Sequence, residues 1–215
     1  FTVSDTSVAS VSSSTITIIG GGSTIVTLNQ AEVNNYNAGV ATMTLTVNKA
    51  SISITFDDLT KTYGDPNFEF TATSSSTGAF SFTISNTSIA TMVDLTNASI
   101  AAVGTSTVEV QQAADDNYNS STATMTLTII KGNPTIIFDD LAKNINDPNF
   151  NFTPVSNSSG AFSYVISDTS IANVIGSNVT ILNLGSTIVT LNQAANTNYN
   201  SGSATMTLQI LTDPI

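Results

Sequence analysis

The sequence predicts an all-β protein made of repeated antiparallel β-sandwiches, and three observations predict it. Apolar and polar residues alternate with a period of two, as in "ATMTLT" at 123–128, which is typical of a half-buried strand. Turn-forming Gly, Pro, Asn and Asp separate these short alternating segments. Related strings also recur: "NYNAGVATMTLTVNK" at 35–49, "NYNSSTATMTLTIIK" at 117–131 and "NYNSGSATMTLQI" at 198–210. A fixed period indicates tandem copies of one folding unit.

The recurring strings divide the chain into one incomplete copy and two complete copies. Tyr36, Tyr118 and Tyr199 follow one another at 82 and 81 residues. We therefore expect the back half of a repeat at 1–48, a complete repeat at 49–130 and another at 131–215. The closing "LQILTDPI" replaces the lysine junction, which predicts the end of the array or a change of module type after it.

The first 48 residues lack the front half of the repeat. Their opening "FTVSDTSVASV" aligns with "FTISNTSIATM", which begins at Phe82, so no segment with two alternating phenylalanines is present. Two interpretations stay open: the half-repeat is a truncation, or a strand from elsewhere completes it.

Seven strands are expected in the middle copy, taken in order. They lie near 51–56, 67–73, 79–84, 89–93, 97–102, 106–112 and 121–129. Phe68 and Phe70 alternate with polar residues, Val108 and Val110 flank Glu109, and turn signals such as "TYGDPN" at 62–67 separate the segments. Seven short strands in about 82 residues describe an antiparallel sandwich and leave no room for helical crossovers. The short linkers "NKAS" and "IKGNP" predict sandwiches arranged end to end.

The charge pattern excludes several classes of partner. The chain carries four cationic and 15 acidic side chains, a net charge of −11, and neither histidine nor cysteine. Such a surface cannot neutralise phosphates, so we expect no nucleic acid and no anionic membrane as partner. No run of about 18 apolar residues is present, so we expect no membrane insertion in this segment.

Enzymatic chemistry has little support in these residues. The bases available are carboxylates and lysines, and the sequence contains no nucleophile elbow and no phosphate loop. "GGG" at 20–22 precedes a strand rather than a helix, so it predicts a turn. We expect no enzyme and no catalytic or cofactor-binding residue.

The paired aspartates are the main candidate for a ligand site. Asp57–Asp58 and Asp139–Asp140 follow the first strand of each complete copy, near the expected junctions. With Asp65 or Asp147 they could gather a calcium ion, which needs six to eight oxygens. The alternative interpretation is a solvated acidic turn. The tyrosine of each "NYN" is expected to cover one end of a core.

Two stretches carry a resemblance to known families. "KTYGDPNFEFTATSSSTG" at 61–78 and the "NYN" strings resemble mostly-β, YGX-type repeats of large bacterial surface adhesins, including those of Bacteroidota, among them gliding or surface adhesins. "SDTSVASV" at 4–11 is similar to group-two bacterial immunoglobulin-like domains. The third copy departs from the first pattern, with "NINDP" in place of "TYGDP". The resemblance implies immunoglobulin-like sandwiches in an extracellular or cell-surface stalk.

Three functions follow as expectations. The leading one is a non-catalytic stalk or spacer segment that projects a binding tip and whose partners are neighbouring repeats of the same polypeptide. The second is a module that binds surface glycans or other cell-surface proteins weakly and repeatedly. The absence of tryptophan speaks against a dedicated glycan platform. The third is a surface filament completed by donated strands.

Overall fold

The protein is all-β, as the alternation predicts. A computed structural model describes residues 1–212, and these contain strands and turns but no helix. The predicted change of module rests on the ending "TDPI". Positions 213–215 of this ending lie outside the described residues. In the first part of the chain the strands are β1 (Thr2–Val3), β2 (Ala9–Ser12), β3 (Thr15–Ile18), β4 (Gly22–Gln30), β5 (Gly39–Val47), β6 (Leu59–Thr62), β7 (Phe68–Glu69), β8 (Phe80–Ile84), β9 (Ala90–Met92), β10 (Asn97–Ile100), β11 (Gly104–Gln112) and β12 (Ser121–Ile130).

Nine further strands follow in the rest of the chain. They are β13 (Ile136–Ile137), β14 (Leu141–Asn144), β15 (Phe150–Asn151), β16 (Val155–Ser156), β17 (Phe162–Ile166), β18 (Ala172–Ile175), β19 (Asn178–Ile181), β20 (Gly185–Gln193) and β21 (Gly202–Leu211).

The first compact unit comprises Phe1–Leu59, Asn67–Ser99 and Ser106–Leu127. Its half-repeat has a three-stranded sheet in the order β1-β4-β5 and the hairpin β2-β3. Its remaining part contains the strand pair β8–β11, in which Val110 lies opposite Phe82. Val108, Val110 and Leu127 are completely buried, so the predicted apolar faces of these strands do form a core.

The second compact unit comprises Thr60–Pro66, Ile100–Thr105 and the chain from Thr128 on. A four-stranded sheet in the order β14-β21-β20-β17 and a three-stranded sheet in the order β15-β19-β18 form its two layers. Its core takes side chains from both layers: Phe152, Ile166, Ile171, Ala172, Val179, Val189, Met206, Leu208 and Ile210. This is a seven-stranded sandwich of the immunoglobulin-like type. The sequence-based repeat boundaries after residues 48 and 130 stay a prediction.

The edge strand of the larger sheet pairs in parallel with its neighbour, whereas the sequence predicts antiparallel pairing throughout. β14 pairs in parallel with β21, with Leu141 opposite Leu208 and Asn144 opposite Leu211. A parallel neighbour needs a long connection between the two strands. The chain provides it, because it crosses to the other layer at β15 before it returns to the larger sheet at β17.

The predicted strand at 51–56 is wrong in its position. Ile52 and Ile54 in this stretch are half-buried, but its ladder pairing is limited to an isolated bridge between Thr55 and Thr73. The continuous ladder begins later, at β6. Asp57 and Asp58 separate the two parts, because the chain changes its pairing partner there.

Candidate functional site

Each second aspartate of the predicted acidic pairs has a structural task. Oδ1 of Asp58 accepts a hydrogen bond of 2.6 Å from the Thr126 amide, and Oδ1 of Asp140 accepts one of 2.6 Å from the Thr207 amide. Both amides belong to the last strand of a repeat. Thr207 lies directly before the point where β21 begins to pair in parallel with β14, and Thr126 occupies the equivalent place in the middle repeat. The carboxylate therefore satisfies a strand amide that would otherwise lack a partner.

The third aspartate of each calcium hypothesis closes a separate turn. Oδ2 of Asp65 accepts a hydrogen bond from the Thr62 amide at 2.8 Å, and Oδ2 of Asp147 accepts one from the Asn144 amide at 2.9 Å. Within residues 1–212, no three acidic side chains come close enough to hold a metal ion. The interpretation as acidic turns thus fits the geometry, and the residues proposed for calcium do not converge.

The "SDTS" string that carries part of the resemblance is also a turn. Asp5 accepts hydrogen bonds from the amide and the hydroxyl of Ser7 at 2.9 and 2.6 Å. Asp168 accepts the same pair from Ser170. In each turn the serine hydroxyl, followed by the serine amide, holds the pKa of the aspartate below its ordinary value.

The first asparagine of "NYN" makes a contact that recurs in both units. In the first unit, the Gly21 amide donates to Oδ1 of Asn117 at 3.1 Å. In the second unit, the Val103 amide donates to Oδ1 of Asn198 at 3.2 Å. Gly21 and Val103 are equivalent, since each precedes the glycine that begins β4 or β11. We call this contact the junction bond, because it joins a loop of one sequence repeat to the "NYN" of the next.

Close backbone packing surrounds the junction bond in the second unit. A Cβ atom added to Gly132 would lie 2.3 Å from the carbonyl oxygen of Tyr63, a distance that no side chain tolerates. The rings of Tyr63 and Tyr199 meet edge to face with 5.3 Å between centroids. Tyr63 is the one aromatic residue without a counterpart in the other copies, and this contact gives it a specific role.

The expected role of the "NYN" tyrosines in covering a core is wrong for Tyr36, which is 78% exposed. Tyr199 is half-buried, but its ring packs on Tyr63 and not among the residues that contact the core of the second unit. The loop preceding the last strand therefore serves the junction more than the sandwich interior.

The lysines at the predicted junctions hold the same loop. The ammonium group of Lys49 donates to the carbonyl of Asp115, and that of Lys131 donates to the carbonyl of Asn196 at 2.6 Å. Both lysines are exposed. Each therefore acts as a cationic donor to a loop carbonyl, in a position that is accessible to water.

Asp115 and its equivalent Asn196 organise this loop from the inside. Oδ1 of Asp115 accepts from the amides of Asn117 and Tyr118, while Oδ2 accepts from Ser76 and Thr77. The Ser76 hydroxyl, followed by the Thr77 amide, holds the pKa of Asp115 far below its ordinary value. We call Asp115 with these four bonds the loop brace.

Two buried glutamines hold neighbouring loops in place by hydrogen bonds, a role that was not predicted from the sequence. Oε1 of Gln193 accepts from the Ser156 hydroxyl at 2.8 Å, and Nε2 donates to the carbonyls of Ser158 and Gly160. Gln112 makes the corresponding three bonds in the middle repeat. Their recurrence at one repeat position, at the end of β11 and β20, is the signal that could have revealed them.

A shallow groove lies beside the acidic pair in each complete repeat. In the last repeat it encloses about 230 Å³ between Asp139, Phe152 and Pro154, and the equivalent groove beside Asp57 encloses about 70 Å³. Small-molecule sites usually measure roughly 300–1,000 Å³. Neither groove has the size of a dedicated ligand pocket.

Comparisons with known proteins do not place the chain in a family. No protein-family model matches it, and no curated protein matches it. Among residues 1–212, no helix is long and apolar enough to cross a bilayer.

Several solved structures match the chain at low similarity. Domains 1–6 of the surface layer protein SbsC are 14% identical, with 90% of this chain and 32% of that chain covered and a TM-score of 0.33. Human protocadherin-24 EC1-2 is 13% identical, with 73% and 95% covered and a TM-score of 0.31. A SusE-like surface located polysaccharide binding protein from the Bacteroides thetaiotaomicron heparin utilisation locus is 16% identical, with 79% and 36% covered and a TM-score of 0.27. Scores of this size establish neither a family nor a function.

Proposed function

We propose that this chain is a non-catalytic stalk or spacer segment of a large extracellular or cell-surface adhesin. The observation that carries the proposal is the junction bond, which recurs with the same chemistry at Asn117 and Asn198. A spacer needs each repeat to attach to the next in the same way, so that length grows by addition. A protein with one binding site has no need for a repeated attachment.

The distribution of side chains supports the same function. Residues that recur between copies fill cores, turns and junctions, as Leu127 and Leu208 do in the last strands. An acidic surface rich in hydroxyl and amide groups keeps identical neighbouring modules from aggregating, even at high local concentration. These properties serve solubility and length, and they require no ligand.

The test uses the full-length surface protein that contains this segment. Deletion of residues 49–130 should preserve surface display and adhesion while shortening the distance that the adhesin reaches. A matched variant replaces residues 49–130 with a second copy of 131–212, which restores the number of repeats but changes the outward side chains. A spacer predicts that reach and adhesion return in this variant.

The alternative is a module that binds glycans or a partner protein repeatedly and weakly. It predicts that the repeat-swapped variant stays impaired, because the outward side chains of the middle copy are gone. Normal display with complete loss of adhesion in both variants would contradict the spacer function. Flow cytometry for display and a bead-capture assay for adhesion separate these outcomes.

A further inference from the structure

The groove beside the acidic pair differs between the two complete repeats. It encloses about 230 Å³ beside Asp139 in the last repeat and about 70 Å³ beside Asp57 in the middle repeat. In both repeats it lies between the segment that leads into the edge strand of the larger sheet, β14 or β6, and the segment around β15 or β7. The place in the fold is therefore the same, and the side chains that form the walls differ.

Two exposed apolar side chains extend the wall in the last repeat. Ile137 of β13 and Val155 of β16 lie directly opposite each other, so their side chains share one face of this strand pair. They line the groove and are 53% and 62% exposed. The equivalent residues of the middle repeat, Thr55 and Thr73, also lie opposite each other, but each carries a hydroxyl. An exposed apolar patch beside a groove is typical of a contact surface.

The floor of this groove is apolar and held in place. The rings of Phe138 and Phe152 meet edge to face with 5.4 Å between centroids, and Met206, which is 3% exposed, also lines the groove. On the side of β16, the Ser156 hydroxyl donates to Oε1 of the buried Gln193 at 2.8 Å. The groove is thus preformed, and a bound side chain has little of its surroundings to order.

The rim of the groove carries negative charge. Asp139 and Asp140 both line it. Oδ1 of Asp140 accepts the hydrogen bond from the Thr207 amide, whereas Asp139 is exposed and its carboxylate has no partner among residues 1–212. A free carboxylate next to apolar walls fits a side chain that has an aliphatic stem and a cationic end.

The lysines of this chain do not supply that cation. None of the residues that line the groove is a lysine. Nζ of Lys143 lies 5.2 Å from the centre of the Phe150 ring, and Lys131 donates to the carbonyl of Asn196. The chain has a net charge of −11 and contains no arginine. Charge complementarity therefore favours a cationic partner protein over a second copy of this chain.

We propose that the groove of the last repeat binds an arginine side chain of a cationic partner protein. The methylene stem packs on Ile137 and Val155, and the guanidinium group donates hydrogen bonds to the Asp139 carboxylate. Arginine fits better than lysine, because its weakly hydrated, planar end stacks on aromatic rings such as those of the groove floor. The groove is smaller than a small-molecule site, but one long side chain needs less room. This site goes beyond the spacer function, since it distinguishes one repeat from the other.

The experiment titrates the isotope-labelled full chain with the peptide acetyl-Gly-Ser-Arg-Ser-Gly-amide and follows amide and methyl signals by NMR. We expect saturable shifts confined to residues 137–141 and 151–155 and to the Met206 methyl group. For a single side chain the dissociation constant should lie in roughly the millimolar range. A peptide with citrulline in place of arginine keeps the shape but has no charge, so it should bind at least about tenfold more weakly.

A matched pair of variants tests the role of the carboxylate. Asp139→Asn should weaken binding of the arginine peptide about tenfold and leave binding of the citrulline peptide unchanged, because only the charged contact is lost. Asp57→Asn is the control, since it removes the same charge at the equivalent place of the middle repeat. Equal losses in the two variants would show general attraction to an acidic chain and would overturn the proposal.

A double variant tests the apolar wall. Ile137→Thr with Val155→Thr gives the last repeat the side chains that the middle repeat has at these exposed positions, so the fold should persist, and circular dichroism verifies it. Binding of both peptides should weaken at least about tenfold, because the stem loses its apolar contacts. Unchanged binding in this variant would overturn the proposal. So would a lack of saturation up to about 10 mM arginine peptide. These measurements on the isolated chain are independent of the deletion test of the spacer function.

Discussion

At the scale of single residues, polar side chains determine as much of this structure as apolar ones. Within residues 1–212, every buried side-chain nitrogen or oxygen has a hydrogen-bond partner. Gln112 and Gln193 are almost completely buried and make three bonds each. An unsatisfied buried polar group costs about 1–3 kcal/mol, so such positions accept few substitutions.

Asp115 makes the loop brace dependent on pH. Because its pKa is lower in the folded than in the unfolded chain, its carboxylate stabilises the fold above the unfolded value of about 3.9, and this stabilisation disappears as the pH falls through the folded value. We expect Asp115→Asn to lower the melting temperature at pH 7, since an amide nitrogen in place of Oδ2 cannot accept the bond from the Thr77 amide. It can still donate to the Ser76 hydroxyl, as Asn196 does to that of Ser158.

The difference between wild type and this variant should shrink as the pH is lowered below about 4, where the Asp115 carboxylate of the unfolded chain begins to be protonated while that of the folded chain is still ionised. Thermal melts followed by circular dichroism between pH 7 and pH 2 measure it. Asp116→Asn is the control, because it removes the same charge at an exposed neighbouring position. An equal loss in both variants would show that net charge, and not the hydrogen bonds, is responsible.

Gly185 is required by its backbone conformation and by its surroundings. Its φ is +142°, and a Cβ atom there would lie 2.8 Å from Cδ1 of Ile171. We expect Gly185→Ala to lower the free energy of unfolding by about 1–3 kcal/mol, the usual cost of such strain. Gly176→Asn is the matched control: its φ is +64°, no atom lies within 4 Å of the added Cβ, and asparagine tolerates this conformation. Urea titration compares the two, and equal losses would contradict this explanation.

At the scale of elements, local patterns predict the strands better than their partners. The alternation in β11 and β12 identifies the buried valines, Met125 and Leu127 correctly, because side-chain direction in a strand follows sequence position alone. The parallel pairing of β14 with β21 and the late start of β6 depend on where the chain changes layers. The aspartates mark that place, but their bonds to Thr126 and Thr207 join residues about 67 positions apart in sequence, which no local pattern shows.

The candidate site was predictable to a similar extent. The sequence identifies "NYN" as a loop and Tyr63 as unusual, since both follow from comparing the copies. It does not show that Asn198 bonds to Val103, because the two residues belong to different copies and lie 95 positions apart. Long-range polar contacts of this kind are the part that the residue pattern leaves open.

The last strands of the repeats offer a matched test of burial. Leu208 in β21 is completely buried, and the equivalent Leu45 in β5 is only half-buried. We expect Leu208→Ala to lower the free energy of unfolding by about 2–5 kcal/mol, as for other core leucines. Leu45→Ala should cost clearly less. Urea unfolding followed by circular dichroism measures both, and a larger loss for Leu45→Ala would contradict the explanation by burial.

At the scale of the whole molecule, stability is expected to differ along the chain. A repeat protein distributes its stability among copies, and regions with few buried apolar contacts open first. The half-repeat has Val8, Ala9 and Val26 as its buried apolar residues, while the last repeat has the nine-residue core described above. One continuous chain therefore contains a weakly covered sandwich half and a complete sandwich with the same strand sequences.

Hydrogen exchange of the two identical strands tests this expectation directly. The chemical exchange rate of an unfolded amide depends on its local sequence, and residues 22–30 and 185–193 share the sequence "GSTIVTLNQ". Any difference between them thus reports the surrounding structure. We expect the interior amides of β4 to exchange faster than those of β20, because the opening of β4 exposes little additional apolar surface. Mass spectrometry of peptides that extend into the differing flanks distinguishes the two strands. Equal protection of β4 and β20 in dilute solution would contradict this expectation. Protection of β4 that rises with protein concentration would show that a second copy covers its exposed side chains.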